Sequence, residues 1–177
     1  MAHNLHWLLY EIANGVYDGA HATLDLLREF HARLFDGVRN HAGRIRSRDH
    51  GSEYLTFGPN RSLHRDKVPD ALEALFTEVR RQLARLLDSA LDPEYERTAI
   101  YVAVWAHATA IQIHPFEDGN GRSSRALMDW LLQRLGLRSI PVEVPKSEYR
   151  EVLNYFYSAR NITPLCDLFL RLYDSQS

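Results

Sequence analysis

Residues 97–113 are apolar on nearly every side. Ile100, Val102, Val104, Trp105, Ile111 and Ile113 are spread around nearly the whole circumference. A helix of that kind must be enclosed by other helices rather than laid on a surface. The rest of the chain supplies the enclosure. Leu24, Leu27, Phe30, Leu34 and Val38 recur at threes and fours within residues 20–40, and Leu72, Leu75, Val79, Leu83, Leu86 and Leu87 do so after Pro69. Each set makes one apolar helix face. Asp92-Pro93-Glu94 marks the start of the central helix, with Asp92 as its N-cap. Further helices are predicted over 121–135, closed by Gly136, over 147–159, and from Thr163-Pro164 onward. The exception is residues 53–65. Glu53 to Phe57 are rich in strand formers, Gly58-Pro59-Asn60 reads as a turn, and Ser62-Leu63-His64 follow. That is a small β-hairpin, too short to stand alone in water. The expected fold class is all-α: a compact helical domain with one short β-hairpin.

The chain has 177 residues, one domain's worth over 1–177. Such a length buries roughly 70% of the surface its unfolded chain exposes, so no structural metal or disulfide is needed. The net charge of -2 gives no basic field for nucleic acid. Cys166 is the single cysteine. It sits in an apolar stretch and is read as a buried small hydrophobe. No run of 18 apolar residues exists, so no membrane span is expected. Residues 1–15 lack an export signal, which points to the cytoplasm and is compatible with delivery into another cell by specialised secretion.

The chemistry is concentrated in residues 114–125, His-Pro-Phe-Glu-Asp-Gly-Asn-Gly-Arg-Ser-Ser-Arg. The central helix is expected to end at His114, because a residue before proline is pushed out of helical geometry. A short loop then leads into a new helix near Asn120. Free N–H groups and two glycines at such a junction form an anion site. Arg122 and Arg125 share a face of the new helix, in the turns where the dipole disfavours a cation unless an anion is present. Asp118 offers oxygen to a divalent cation. His114 offers a proton acceptor that works near neutral pH. A base, a metal ligand, an anion cradle and two guanidinium groups are the parts that transfer a phosphorus group from a nucleotide.

The segment resembles the Fic family motif: His-x-Phe, a free position, an acid, Gly-Asn-Gly-Arg, and Arg three positions on. Every fixed position matches. Leu27-Arg28-Glu29-Phe30-His31 through Leu34-Phe35 to Ala42-Gly43-Arg44-Ile45-Arg46 resembles the family's upstream helix and its Ala-Gly-x-x-Arg stretch. Residues 53–68 sit where the family has a flap hairpin. The resemblance covers roughly residues 25–170 and implies a protein AMP-transferase using ATP and Mg²⁺. His114 would then deprotonate the target hydroxyl, and Phe116 would anchor the loop in the core. Asp118 would hold Mg²⁺, and Gly119, Asn120 and Gly121 would shape the cradle. Arg122 would contact the phosphates and Arg125 the γ-phosphate. Glu117 fills the free position and receives no role.

The resemblance also implies a partner. The flap, through Tyr54, Leu55, Thr56 and Phe57, would pair with an extended segment of the target protein. Many relatives carry an inhibitory helix with Ser or Thr, three residues, Glu, then Gly or Asn. Ser139…Glu143 and Ser147…Glu151 have the first spacing, but valine follows each. Either a separate small antitoxin-like protein supplies the glutamate to Arg125, or the enzyme is not restrained in that way. Gly121 argues against the Doc-type kinases, which carry lysine there. Transfer of UMP or phosphocholine, hydrolytic removal of AMP, and a catalytically silent binding module are the competing readings. His107, seven residues before His114, is read as a packed neighbour of the site.

Overall fold

The computed structural model describes residues 2–88 and 91–175. Its helices are α1 (Ala2–Ala13), α2 (Leu24–Phe35), α3 (Val68–Leu87), α4 (Tyr95–Ile113), α5 (Asn120–Arg134), α6 (Lys146–Ala159) and α7 (Thr163–Asp174). Strands β1 (Thr56–Phe57) and β2 (Asn60–Arg61) form the hairpin, and one 3-10 turn spans Arg65–Lys67.

Helix α4 is enclosed except along one stripe, where Thr98, Tyr101, Trp105, Thr109 and Gln112 keep contact with solvent. Ala99, Ile100, Ala103, Val104, Ala106 and Ala108 are fully buried along it. Alanines at this density let neighbouring helices approach closely, and α5, α3 and α7 pack directly on it. Helix α5 is covered on its other side by α1 and α2. That arrangement holds the α4–α5 junction, which carries residues 114–125, in the middle of the packing. Among the described residues no helix is long and apolar enough to cross a membrane.

Several boundaries differ from expectation for local reasons. Helix α1 was not foreseen. Leu8 and Ile12 face the core, while Trp7 and Tyr10 are exposed on its far side. Helix α2 stops at Phe35 because Asp36 leaves helical geometry and Gly37 turns the chain at φ 66°. Val38 is therefore exposed rather than part of the buried face. Asp92 is not the N-cap of α4. Glu94 holds that position, and the Asp92 carboxylate instead accepts the Glu94 N–H at 2.8 Å, closing an Asx turn one step earlier. The hairpin is shorter than expected. It pairs Thr56 with Arg61 and Phe57 with Asn60, so Asn60 lies in a strand and the turn is Gly58-Pro59 alone. Strands of two residues cannot hold themselves, and the flap depends on side chains from elsewhere.

Candidate active site

Helix α4 ends where the sequence places its end, but His114 adopts the left-handed conformation, φ 56° and ψ 60°. A non-glycine residue there carries strain of the kind found at functional sites. Its N–H still bonds Ala110 O at 3.1 Å. The ring Nδ1 lies 3.1 Å from Ile111 O. A carbonyl only accepts, so Nδ1 carries the proton and Nε2 keeps a free lone pair. Burial pushes the His114 imidazole below its ordinary pKa. At neutral pH the ring is therefore uncharged and ready to accept a proton.

The loop 115–119 is closed by Asn120. Its Oδ1 accepts the Phe116 N–H and its Nδ2 donates to Phe116 O, both at 2.8 Å. The side chain is thus consumed by the loop, and only its backbone belongs to the cradle. Phe116 is fully buried and stacks on His31 with 3.8 Å between ring centres. Gly119 has φ 78°, a left-handed turn suited to glycine. Gly121 is helical and exposed, with nothing within 4 Å of the place a Cβ would occupy.

Asp118 is half exposed. Its Oδ1 accepts from Gly119 N at 2.6 Å and pairs with Arg122 Nη2 at 3.2 Å. Arg122 also lies over the Phe35 ring at 5.0 Å. Arg125 sits 5.7 Å from the Tyr149 ring centre, and its buried Nε has no hydrogen-bond partner among the described residues. One open cavity of about 590 Å³ is lined by Leu5, His114, Glu117, Asp118, residues 119–121, Arg122 and Arg125. Two cations from α6, Lys146 and Arg150, complete its wall. A second cavity of about 640 Å³ adjoins it through Gly121, Arg125, Lys146 and Arg150. The flap tip, Ile111, Leu153 and Tyr157 line that one, and it is the more apolar of the two.

The flap residues do different things. Phe57 lies flat on the His114 imidazole, 4.3 Å between centres and 8° between planes. Tyr54 is exposed beneath the Arg61 guanidinium, 3.5 Å from its ring centre. Leu55 is partly buried, and its carbonyl accepts the Ser62 N–H at 2.8 Å. Thr56 is exposed.

Four supporting residues carry no signal in the motif. His31 is fully buried on α2; its Nδ1 accepts the Gly43 N–H at 2.9 Å, so Nε2 donates to Asp118 O at 3.0 Å. Burial lowers its pKa to about 4, which keeps the ring neutral in this relay. Arg46, the arginine of the Ala-Gly-x-x-Arg stretch, is fully buried and donates to His114 O at 2.9 Å, Ser52 O at 3.0 Å and Leu63 O at 3.2 Å. Glu117 bonds the backbone N and the hydroxyl of Ser52. Tyr149 bonds His107, Nε2 to hydroxyl 2.6 Å, beneath Arg125. His107 is fully buried and its pKa falls to about 3 through burial, so it is a packed polar neighbour rather than a second base.

A model of the Fic/DOC family matches residues 21–132. The chain belongs to this family. Protein adenylyltransferase Fic of Drosophila persimilis is 40% identical over 80 residues, which is 45% of this chain and 14% of that protein. Uridine 5'-monophosphate transferase of Xanthomonas campestris pv. campestris is 37% identical over 65 residues, 37% of this chain and 12% of that protein. The chain thus spans a small part of the curated relatives it matches. The BepC effector of Bartonella tribocorum, solved with bound AMPPNP, aligns at TM-score 0.71 and 18% identity, covering 97% of this chain and 84% of that one. That likeness establishes the Fic helical fold.

Proposed function

We propose that this Fic domain transfers AMP from ATP to a hydroxyl of a target protein. One observation carries the reading: the free Nε2 of His114 and the phosphate cradle of residues 119–121 belong to one cavity. The triphosphate would lie in this cavity, over the α5 N-terminus and against Arg122 and Arg125. The nucleoside would enter the adjoining apolar cavity beside Phe57 and Tyr157. The relatives named adenylyltransferases support AMP, while the Xanthomonas relative keeps UMP as the second reading.

In the reaction, His114 Nε2 takes the proton of the acceptor hydroxyl. The oxygen forms a bond to the α-phosphorus as the bond to the bridging α–β oxygen breaks, and pyrophosphate leaves. A positioned base of this kind contributes roughly 10²- to 10⁴-fold. Arg122 and Arg125 stabilise charge on the leaving pyrophosphate. Among the described residues no group of three His, Cys, Asp or Glu side chains is arranged to hold a metal. Asp118 is a half-exposed carboxylate beside the cradle, and the Glu117 carboxylate on the same cavity is taken up by Ser52. That donor set fits Mg²⁺ carried on phosphate oxygens with one protein carboxylate, not a protein cage. When bound there, Mg²⁺ would neutralise phosphate charge.

The flap would receive the acceptor segment as an added strand, with Phe57 beside the base. Among the described residues no carboxylate oxygen comes within ion-pair distance of Arg125, although Asp129 one turn on and Tyr149 act on it; a glutamate from a separate inhibitor protein would meet it from the cavity side. Co-purification of a small acidic partner from the native host would support such an inhibitor; full activity of the lone chain that no host protein changes would refute it. The activity itself is tested by mass spectrometry of host proteins after incubation with ATP and Mg²⁺. AMP linked to a Ser, Thr or Tyr is the expected product; phosphate or UMP in its place would overturn the assignment.

A further inference from the structure

The motif position that the family leaves free is occupied here by a side chain with a specific attachment. Glu117 grips Ser52 at two atoms: Oε1 accepts the Ser52 N–H, and Oε2 accepts its hydroxyl at 3.1 Å. The approach is close enough that a Cβ on Gly51 would sit 2.5 Å from Oε1. From the other side, Arg46 takes Ser52 O at 3.0 Å and Glu53 O at 3.3 Å, while bonding His114 O at 2.9 Å. Ser52 is therefore held through its N–H, its hydroxyl and its carbonyl. It lies just before the flap, whose two-residue strands supply little hold of their own.

At the other end of the flap, Asn60 Nδ2 donates to Asn154 Oδ1 on α6 at 2.7 Å. Between these two fastenings, Phe57 lies on the His114 ring. Glu117 is three residues from His114 on the loop that Asn120 closes. The path from Glu117 through Ser52 and the flap back to the imidazole is thus short and closed.

We propose that Glu117 is a positioning residue: by clamping Ser52 it sets the height and register of the flap over His114, and with them the way an acceptor segment meets the base. The last clause rests on the flap being the acceptor platform. The clamp itself does not. An apolar or basic side chain at this position would free the N–H and hydroxyl of Ser52, leaving the root of the flap to Arg46 and to Arg65, which holds Gly51 O and Glu53 O at 2.9 Å each.

The test uses the whole protein without nucleotide, as wild type, Glu117→Ala, Glu117→Gln, Ser52→Ala and the Glu117→Ala/Ser52→Ala double variant. Amide exchange is read at Leu55 and Ser62, whose N–H groups close the flap. The ring-current shift that Phe57 imposes on the His114 imidazole protons is read alongside. Glu117→Ala should speed flap exchange roughly tenfold or more, the scale set by one charge-assisted hydrogen bond on an opening equilibrium. The His114 shift should shrink, with α4 and α5 unchanged. Glu117→Gln should stay near wild type, because its amide can accept from the Ser52 N–H and meet the hydroxyl. Ser52→Ala should add little on top of Glu117→Ala. Unchanged flap exchange and His114 shift in Glu117→Ala would overturn the proposal. So would protection lost throughout α4 and α5, which would make Glu117 a general support. With the acceptor protein that the wild type labels, Glu117→Ala should raise KM about tenfold while kcat holds within about threefold. A wild type that labels nothing would count against AMP transfer and leave the exchange result standing.

Discussion

Alanine at Gly119 and alanine at Gly121 should move stability in opposite directions. At Gly119 the backbone is left-handed, which costs a residue with a Cβ about 1–2 kcal/mol. The added Cβ would also press on the buried Phe35 ring, 2.9 Å from its Cζ. Overpacking of this kind costs about 1–3 kcal/mol. Together they give about 2–5 kcal/mol, or a fall in Tm of roughly 10 °C for a chain of this size. Gly121 has neither constraint: its backbone is helical and nothing lies within 4 Å of a new Cβ. Within a helix alanine is better than glycine by about 0.5–1 kcal/mol, so Tm should hold or rise slightly. Glycine at 121 then has a ligand reason, since the residue lines both cavities. A methyl group there should weaken ATP·Mg²⁺ binding by roughly tenfold or more, about 1.4 kcal/mol. Thermal melts followed by circular dichroism and calorimetric titration with ATP·Mg²⁺ read the two quantities separately. Gly121→Ala that loses stability, or that binds ATP as well as wild type, would refute the division of roles.

Acid should destabilise the fold. Burial sets His31 at about 4 and His107 at about 3, so below about 6.5 the unfolded chain takes up protons there that the native state refuses. Asp129 works the other way. Burial raises it to about 7, so the native state binds its proton between roughly pH 7 and 4 while the unfolded chain does not. His31 and His107 against Asp129 leave a slope of about 1.4 kcal/mol per pH unit between roughly pH 6.5 and 4; His114, also held low by burial, steepens it, and Asp129→Asn should add about another 1.4 kcal/mol per pH unit. Urea midpoints across that range measure both slopes; stability that stays flat or rises on acidification would contradict them. Cys166 is buried, and burial pushes its thiol up to about 12, so thiol reagents should label it only on unfolding. Rapid labelling of the native protein would show that the packing around α7 is wrong.

The contiguous part of the candidate site was legible in the sequence, because residues 114–125 put a histidine, an acid, glycines and arginines on one loop and one helix start. The residues that hold this loop were not. His31 reaches Asp118 across 87 residues of chain and Arg46 reaches His114 across 68. Only tertiary packing brings them there. A histidine on the apolar face of α2 beside Leu27, Phe30 and Leu34 was the available signal for His31. Arg46 was marked only by its place in the Ala-Gly-x-x-Arg stretch, and nothing in the sequence links Glu117 to Ser52. Helices punctuated by proline or glycine were readable, as at Pro69, Gly136 and Thr163-Pro164. Helix α1 was hidden because Trp7 and Tyr10 place apolar rings on its solvent side and blur the period of three to four.

The central claim is that His114 delivers an acceptor hydroxyl to the α-phosphorus of ATP. Its most direct measurement is label transfer from α-³²P-ATP with Mg²⁺ into a host-cell lysate, run beside γ-labelled ATP, α-labelled UTP and His114→Ala. A protein band labelled by α-³²P-ATP alone, and reduced roughly 10²- to 10⁴-fold in the variant, is the expected result. A band labelled from γ-³²P-ATP, or labelling that survives His114→Ala, would contradict it.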